Sequence, residues 1–430
     1  MKILMLGWEL PPYNSGGLGV ACFQMAKALA NRGVNIRFIL PYSADHSNAE
    51  KFMKVTAASD VPPLVDENGH YISMGAYSGS CVWCDHSRTC EHAQVYSGGF
   101  IAATRKYAEQ VEKIIKRKKI RPNVIHVHDW LTMEAGARAK IATGAPLIAH
   151  VHATEFDRAG GQYGNPLIHE IEYYGLQIAD RIIAVSQITK DTIVREYHIP
   201  ADKVEVIHNS LDPEELSKTI VDTNSFNYVR EMKRRGYTVV TNIGRLTIQK
   251  GLTYLVEAAA MAASRNPKLL FLISGTGEMR DQLLERAADF GISDRVIFTG
   301  WVRGAQFREL YQVSDIFVMP SISEPFGLTA LEAAHYHNAV LLSKTAGVGE
   351  ILRDVMRFDY WDTRKLADQI INISLSPALR NELADNVARE YLKFSWHDVA
   401  EKLIREYRRV ARHRRKAIAR SKIKMELHYA

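Results

Sequence analysis

Cysteine is scarce in this chain, which has four cysteines among 430 residues. A chain of this length can bury a core without disulfide bonds, so we expect no disulfide framework and a reducing, cytoplasmic compartment. Long apolar runs are also missing: no stretch approaches roughly 18 uncharged apolar residues, which argues against a transmembrane helix. The apolar start at residues 1–7 is followed at once by Glu9, which favours a buried first strand over a signal peptide.

Most of the chain lacks an excess of positive charge, although the net charge of the whole chain is +7. Residues 402–424 contain eleven lysines and arginines and one acid, Glu406, so the remainder carries −3. A solvated helix end is the usual interpretation of such a segment. The alternative is contact with an anionic partner such as nucleic acid, a membrane or an acidic protein. We expect no nucleic-acid partner for the protein as a whole.

Apolar strand-like runs alternate with helix-like runs along most of the chain. Their Val, Ile and Leu residues lack polar alternation, which is typical of strands buried on both faces of a parallel sheet. The first series comprises residues 2–7, 35–40, 124–128, 147–152, 181–185 and 204–207, and the second comprises 239–243, 269–274, 296–299, 316–319 and 340–342. The pattern predicts an α/β protein with two doubly wound, Rossmann-like domains that face a cleft, where ligands would bind.

The predicted domains follow from where the two series begin and end. We place an N-terminal domain at 1–212, a second domain at 213–386, a C-terminal helix at 387–412 and a basic tail at 413–430. An irregular insertion at about 45–98 interrupts the first domain.

Three of the four cysteines lie in this insertion, at Cys81, Cys84 and Cys90, and His92 follows them. Three thiolates and one imidazole can form a structural zinc site. Reduced free thiols and redox activity are the alternatives.

Glycine is concentrated after the first strand, in Gly16-Gly17-Leu18-Gly19, before a helix expected to start near Val20. Adjacent glycines at a strand-to-helix turn let the backbone approach a phosphate closely, although a tight turn alone has the same composition. The GxGxxG spacing of dinucleotide-binding proteins is absent, which disfavours an NAD enzyme.

Histidines occur in pairs at the ends of two neighbouring strands. His126 and His128 precede Asp129, and His150 and His152 follow on the next strand. Residues two apart on a strand share a face, so a metal site is one interpretation. Hydrogen bonding of these polar groups to a sugar is the other.

Arg245 and Lys250 lie on the loop after the first strand of the second series. An arginine fork and a lysine point charge can converge on a diphosphate, whereas two solvated loop cations would be the interpretation if the loop stood alone. The segment that begins at Glu324 favours the phosphate interpretation.

Two carboxylates, Glu324 and Glu332, flank the start of a helix-like run. Between them, Gly327, Leu328 and Thr329 would offer backbone N–H groups at a helix N-terminus, which suits a phosphate. A carboxylate beside a phosphate cradle is typical of sugar-nucleotide chemistry.

Together these segments resemble the retaining glycosyltransferases of the GT-B type, and the glycogen and starch synthases of glycosyltransferase families 4 and 5 in particular. The resemblance extends over about residues 1–392. Its marks are Glu9 with Gly16-Gly17-Leu18, His128-Asp129-Trp130, Gly244-Arg245-Leu246 with Lys250-Gly251, and Glu324-Pro325-Phe326-Gly327-Leu328 with Glu332.

The resemblance implies that glucose passes from a nucleoside-diphosphate glucose to an α-1,4-glucan, with no required cofactor and no catalytic metal. It implies catalytic roles for Arg245, Lys250, Glu324, His152 and Asp129, donor or phosphate binding by Gly16, Gly17, Gly327, Leu328, Thr329 and Glu332, and an acceptor-side position for Glu9. It also implies a front-face mechanism without a covalent nucleophile, in which the carbonyl of Ala153 stabilises the cationic centre. The C-terminal helix would cross back onto the first domain.

Asn14-Ser15 departs from the bacterial synthase pattern, which has Lys-Thr before the paired glycines. The choice between ADP-glucose and UDP-glucose and the identity of the acceptor therefore stay open. The alternatives are a sucrose- or trehalose-type small acceptor, a lipid or cell-wall acceptor, and a non-catalytic sugar- or nucleotide-binding regulator.

Overall fold

The computed structural model describes residues 1–14, 16–63, 99–214, 216 and 220–426, without the side chains of 415–426. The chain divides into two compact units. Unit 1 comprises Met1–Glu155, Tyr163–Asn209 and Trp396–Ala430, and unit 2 comprises Phe156–Gln162 and Ser210–Ser395. Each unit contains one parallel sheet with helices, which confirms the predicted pair of Rossmann-like domains.

The sheet of unit 1 has seven parallel strands. They are β1 (Lys2–Leu6), β2 (Asn35–Leu40), β3 (Lys54–Ala57), β4 (Val124–His128), β5 (Leu147–Val151), β6 (Arg181–Ala184) and β7 (Val204–Val206). Their order is β3-β2-β1-β4-β5-β6-β7. Every residue of β4, β5 and β6 is buried, because helices cover both faces of a sheet whose strands are joined by helical crossovers.

The described helices of unit 1 connect these strands and flank them. They are α1 (Gly17–Asn31), α2 (Ser47–Glu50), α3 (Gly99–Arg117), α4 (Trp130–Thr143), α5 (Glu155–Arg158), α6 (Pro166–Ile178), α7 (Gln187–Glu196) and the last helix of the chain, Trp396–Glu426. Helix α5 straddles the boundary between the units, since only Glu155 belongs to unit 1. The last helix packs against α1, where Arg32 donates to Glu401 over 2.8 Å.

The sheet of unit 2 has six parallel strands. They are β8 (Thr238–Ile243), β9 (Leu269–Ser274), β10 (Val296–Gly300), β11 (Ile316–Met319), β12 (Ala339–Ser343) and β13 (Met356–Phe358), in the order β10-β9-β8-β11-β12-β13. Successive residues of β9 enter different cores, since Leu269 and Phe271 lie in one apolar cluster and Leu270 and Leu272 in another. This alternation places a core on each face of the sheet.

The described helices of unit 2 are α8 (Asn227–Arg234), α9 (Leu252–Arg265), α10 (Arg280–Asp289), α11 (Gly304–Val313), α12 (Leu328–His335), α13 (Thr363–Leu375) and α14 (Pro377–Tyr391). The last helix of the chain is therefore α15. Helix α9 packs against α10 and α13, and α12 packs against α14.

Several boundaries differ from the sequence-based expectation. The units separate at Asn209 and Ser210 rather than at 212, and residues 156–162 group with unit 2. The C-terminal helix expected at 387–412 is instead the end of α14 and the start of α15, separated by residues 392–395. Helix α1 starts at Gly17, earlier than the expected Val20.

Two short strands were missed, and both lie at sheet edges. The expected irregular insertion contains helix α2 and strand β3 in its described part, and β13 was not anticipated. Each edge strand buries only one side chain, so its apolar pattern is weak. Cys81, Cys84, Cys90 and His92 lie outside the described residues.

Among the described helices, none combines the length and the apolar character that crossing a bilayer requires.

Candidate active site

An ion pair joins two of the predicted site residues of unit 2. Nζ of Lys250 lies 2.6 Å from Oε2 of Glu324, and the two side chains are 19% and 10% exposed. The same carboxylate oxygen accepts a hydrogen bond from Ser321 Oγ over 3.1 Å. Lys250 follows β8 and Glu324 follows β11, and these strands are neighbours in the sheet. The pair therefore stands at the carboxyl edge of the sheet, where open α/β folds bind ligands.

Glycines allow the loops of this edge to pack closely. Gly251 has a φ of +63°, and a Cβ there would lie 2.2 Å from the carbonyl oxygen of Pro320. Gly327 has a φ of +109° and immediately precedes α12. Both positions require the left-handed region that glycine adopts without steric cost. The loops that carry Lys250 and Glu324 are thus held together by backbone contact.

Arg245 is tied to the same edge through Gln249. Its Nη2 donates to Gln249 Oε1 over 3.4 Å, and Gln249 Nε2 donates to the carbonyl oxygen of Ser323 over 3.0 Å. Gln249 thereby links the Arg245 loop to the residue before Glu324.

Helix α12 presents its N-terminus beside Glu324. Leu328 and Thr329 are its first residues, where helix geometry leaves backbone N–H groups without an intrahelical acceptor. Gly327 is the residue that caps the helix, and no side chain accepts a hydrogen bond in that role. The arrangement can accept a phosphate through N–H groups and the positive end of the helix dipole.

Glu332 lies one turn further along α12. Its Oε2 accepts a hydrogen bond from the hydroxyl of Tyr311 over 2.8 Å. Burial raises the pKa of Glu332 to about 7, and the hydrogen bond from Tyr311 opposes part of that rise. Near neutral pH the carboxyl group is therefore close to its point of half-protonation.

In unit 1, Asp129 occupies a backbone conformation unusual for a residue with a side chain. It follows β4 with a φ of +57° and a ψ of +176°. Its Oδ1 accepts hydrogen bonds from the backbone N–H of His152 over 2.6 Å and of Ala153 over 3.3 Å. Strained residues of this kind persist where surrounding contacts determine the geometry, and they concentrate at functional sites.

Four histidines stack at the ends of β4 and β5. His126 contacts His150 at 3.2 Å and His128 contacts His152 at 3.1 Å, each through ring nitrogens. Burial lowers the pKa of all four, and it lowers the pKa of His126 to about 3. The rings are therefore neutral at physiological pH. The predicted His152 and Asp129 are neighbours, joined by the hydrogen bond to the His152 backbone.

Glu9 and the glycine segment meet at the start of α1. Oε1 of Glu9 accepts a hydrogen bond from the backbone N–H of Gly19 over 3.1 Å, and Glu9 is buried. A Cβ on Gly16 would meet no atom within 4 Å, so Gly16 faces open space. Gly17 is the first residue of the helix.

Sequence reasoning missed the residues that position the predicted ones. Ser321, Tyr311 and Gln249 contact Glu324, Glu332 and Arg245, respectively. Tyr311 lies 21 positions before Glu332, and no local spacing pattern connects them. Ser321, three residues before Glu324, is the one of these positioning residues that a local pattern could have indicated.

The profile of the family "Glycosyl transferases group 1" matches residues 227–390, and that of "Glycosyltransferase Family 4" matches residues 15–215. An uncharacterized glycosyltransferase of Methanocaldococcus jannaschii is 30% identical over 95% of this chain and 98% of its own length. The glycogen synthase of Mycobacterium tuberculosis is 26% identical over 93% of this chain and 92% of its own length.

Two solved structures share the fold. Sucrose-phosphate synthase from Thermosynechococcus elongatus superposes with a TM-score of 0.71 at 18% identity, over 95% of this chain and 98% of the other. HepE of Anabaena in complex with UDP-glucose superposes with a TM-score of 0.65 at 17% identity, over 94% and 99%. The chain has two Rossmann-like domains, matches both family profiles and aligns with a relative over 98% of that relative's length. It therefore belongs to the GT-B glycosyltransferases of the family 4/5 type and is a glycosyltransferase enzyme.

Proposed function

We propose that the protein transfers glucose from a nucleoside-diphosphate glucose to an α-1,4-glucan with retention of anomeric configuration. The observation that carries the proposal is the Lys250–Glu324 pair at the carboxyl edge of the unit 2 sheet, beside Arg245 and the N-terminus of α12. This edge combines positive charge, backbone donors and a carboxylate, the groups that a diphosphate joined to a sugar requires.

The leaving diphosphate gains negative charge as the glycosidic bond to glucose breaks. Arg245 and Lys250 would offset that charge, and the N–H groups of Leu328 and Thr329 would add donors fixed before the reaction. Prearranged donors cost no reorganisation when the charge develops, which makes this the main catalytic contribution. Since two cations already stand at the site, the transfer needs no catalytic metal ion, and added Mg²⁺ should leave the rate unchanged.

Glu324 would hold both Lys250 and the donor sugar. Its Oε2 is engaged by Lys250 and Ser321, whereas its Oε1 accepts no hydrogen bond from the described residues. That second oxygen is suited to a glucose hydroxyl. Glu332, already oriented by Tyr311, would accept hydrogen bonds from the ribose hydroxyls of the nucleotide.

The residues of unit 1 would contact neutral sugar hydroxyls. Neutral His152 can donate or accept a hydrogen bond, and Asp129 fixes its backbone. Gly16 and Gly17 would approach the donor phosphate, and Glu9 would lie on the acceptor side. No residue acts as a covalent nucleophile in this scheme, because the leaving phosphate itself takes the proton of the acceptor hydroxyl.

The glucan acceptor is supported by the likeness to a glycogen synthase over most of both chains. A small-molecule acceptor is the second candidate, since Asn14-Ser15 replaces the Lys-Thr of the bacterial synthase pattern.

The test measures nucleoside-diphosphate release from UDP-glucose and ADP-glucose with glycogen, maltohexaose, fructose 6-phosphate or glucose 6-phosphate as acceptor. The proposal expects release that depends on glycogen or maltohexaose, with glucose added at the non-reducing end. Release that depends only on a sugar phosphate would reject the glucan and keep the glycosyltransferase. The Glu324→Gln variant serves as the inactive control.

A further inference from the structure

Unit 1 holds more histidines in one cluster than contact with a sugar would require. His126, His128 and His150 are each fully buried on adjacent strands β4 and β5. One ring nitrogen from each lies within 4.8 Å of the others. Tetrahedral Zn²⁺ holds imidazole nitrogens at about 2.0–2.1 Å, which separates two of them by roughly 3.3 Å. Ring rotations that shift the nitrogens by roughly 1–2 Å would therefore form three corners of a metal site.

Hydrogen bonding inside the cluster leaves two ring nitrogens unsatisfied. Nε2 of His128 and Nε2 of His150 are buried and have no hydrogen-bond partner among the described residues. A buried polar atom without a partner costs free energy, and a bound ion is one explanation for such an atom in a native protein. A bound cation would give a partner to these nitrogens of His128 and His150, which nothing in the described protein engages.

The surroundings carry negative charge. Asp129 and Glu9 are buried carboxylates, and both interact electrostatically with Cys22, whose sulfur lies within 4.8 Å of a ring nitrogen of His128. Two nearby carboxylates would compensate a divalent charge that three neutral ligands could not.

His126 is also oriented from outside the cluster. Its Nδ1 lies 2.7 Å from the hydroxyl of Tyr407 on α15, which leaves Nε2 directed at the other histidines. Metal-bound histidines almost always use their second nitrogen in this way, because the outer hydrogen bond fixes the ring.

We infer that His126, His128 and His150 bind a divalent transition-metal ion of the Zn²⁺ class, which fastens β4 to β5 beneath Asp129 and His152. The ion is structural, takes no part in glucose transfer and does not depend on the proposed acceptor.

The experiment must separate this site from the cysteines of residues 81–90. A full-length parent carrying Cys81→Ser, Cys84→Ser and Cys90→Ser is prepared free of metal and titrated with Co²⁺. The inference expects about one Co²⁺ per chain with the visible absorption of nitrogen-coordinated cobalt, three imidazoles by X-ray absorption, and a higher Tm with the ion bound. The number of imidazoles around the ion is measured by X-ray absorption on the parent, so this result does not require any histidine variant to fold.

His126→Gln and His150→Gln in this parent should each lose stoichiometric binding and the rise in Tm on adding Co²⁺. His335→Gln is the matched control, since His335 in unit 2 is equally buried and also contacts a tyrosine hydroxyl, that of Tyr391, at 2.8 Å. Its binding should equal that of the parent.

The inference would be overturned by no stoichiometric binding by the parent, by fewer than three imidazoles around the ion, or by unchanged binding in a folded His150→Gln variant. A thiolate-to-cobalt band that disappears in Cys22→Ser would assign the ion to Cys22, His128 and His152 instead, and would also reject it.

Discussion

The candidate residues of the two units hold charge in different ways. In unit 2, Lys250 and Glu324 form an ion pair 2.6 Å long that keeps some access to solvent. In unit 1, three buried imidazoles and the partly buried imidazole of His152 are neutral, and the carboxylate of Asp129 accepts hydrogen bonds from backbone N–H groups. A partly exposed ion pair can exchange a partner for a charged ligand, whereas a buried neutral stack provides rigid support. In the function proposed above, the charged edge of unit 2 would bind the diphosphate, and the strand ends of unit 1 that carry Asp129 and His152 would contact uncharged sugar hydroxyls.

The largest effect should come from removing the cation of unit 2. We expect Lys250→Ala to lower kcat/KM by about 100- to 1,000-fold, because a prearranged charge opposite the leaving group is lost. Steady-state nucleotide release measures this loss. Lys233→Ala is the matched control, since Lys233 pairs with Asp315 at 3.0 Å in the same unit but carries no proposed role. Equal activity of the two variants would reject the assignment of Lys250.

The next largest effect should be a difference in stability between alanine substitutions in two glycine-containing loops. The loop at Gly251 packs closely against other backbone, whereas the loop at Gly16 does not. In unit 2, Gly251→Ala should cost about 2–4 kcal/mol of stability, since its Cβ would strike the Pro320 carbonyl and its φ is positive. In unit 1, Gly16→Ala should stay within about 0.5 kcal/mol of the parent, because open space surrounds that position. Denaturant unfolding of both variants measures the contrast. A stable Gly251→Ala would show that its loop is not closely packed.

A smaller effect should distinguish the charge of Asp129 from its hydrogen bonds. Asp129→Ala leaves the backbone N–H groups of His152 and Ala153 without their acceptor, at a cost of about 1–3 kcal/mol. Asp129→Asn keeps an acceptor oxygen and tolerates positive φ, so we expect it to fold normally. Thermal unfolding and activity are compared for the pair. If both variants unfold at the parental temperature, the carboxylate does not hold the strand ends.

The smallest effect should be the pH dependence of donor binding. The pKa of Glu332 is raised to about 7, so its carboxylate is mostly protonated at pH 6 and mostly ionised at pH 8. Ribose hydroxyls donate better to the ionised form, and UDP or ADP affinity should rise by up to about tenfold across that range. Calorimetric titration of wild type and Glu332→Gln tests this, with a flat profile expected for the variant.

The stability of the ligand-free protein should change with pH in the direction opposite to that of nucleotide affinity. Since the folded carboxyl of Glu332 binds protons more tightly than an unfolded one, the ligand-free protein should lose stability as pH rises from about 4.5 through 7. Glu332→Gln removes that slope. A wild-type slope equal to that of the variant would contradict the raised pKa.

The sequence predicted most of this architecture because parallel strands buried on both faces leave an unmistakable run of Val, Ile and Leu. Strand β9 is such a run and was placed at its observed ends. Strand β3 was not, because an edge strand with one buried residue has no such signature.

The candidate site residues stay a prediction, which rests on local sequence patterns. Arg245, Lys250, Glu324 and Glu332 stand in recognisable local spacings. Tyr407 contacts His126 across 281 positions, and Tyr311 contacts Glu332 across 21 positions. Contacts of this kind are set by tertiary packing, which no local pattern records.

Recognition of a diphosphate by the charged edge of unit 2 is tested most directly by the difference in affinity between UDP and UMP, repeated with ADP and AMP. We expect wild type to bind the diphosphate at least about tenfold more tightly, through one further charge-assisted contact. The Lys250→Ala variant should bind both nucleotides almost equally. A variant that keeps the full preference for the diphosphate would contradict the account.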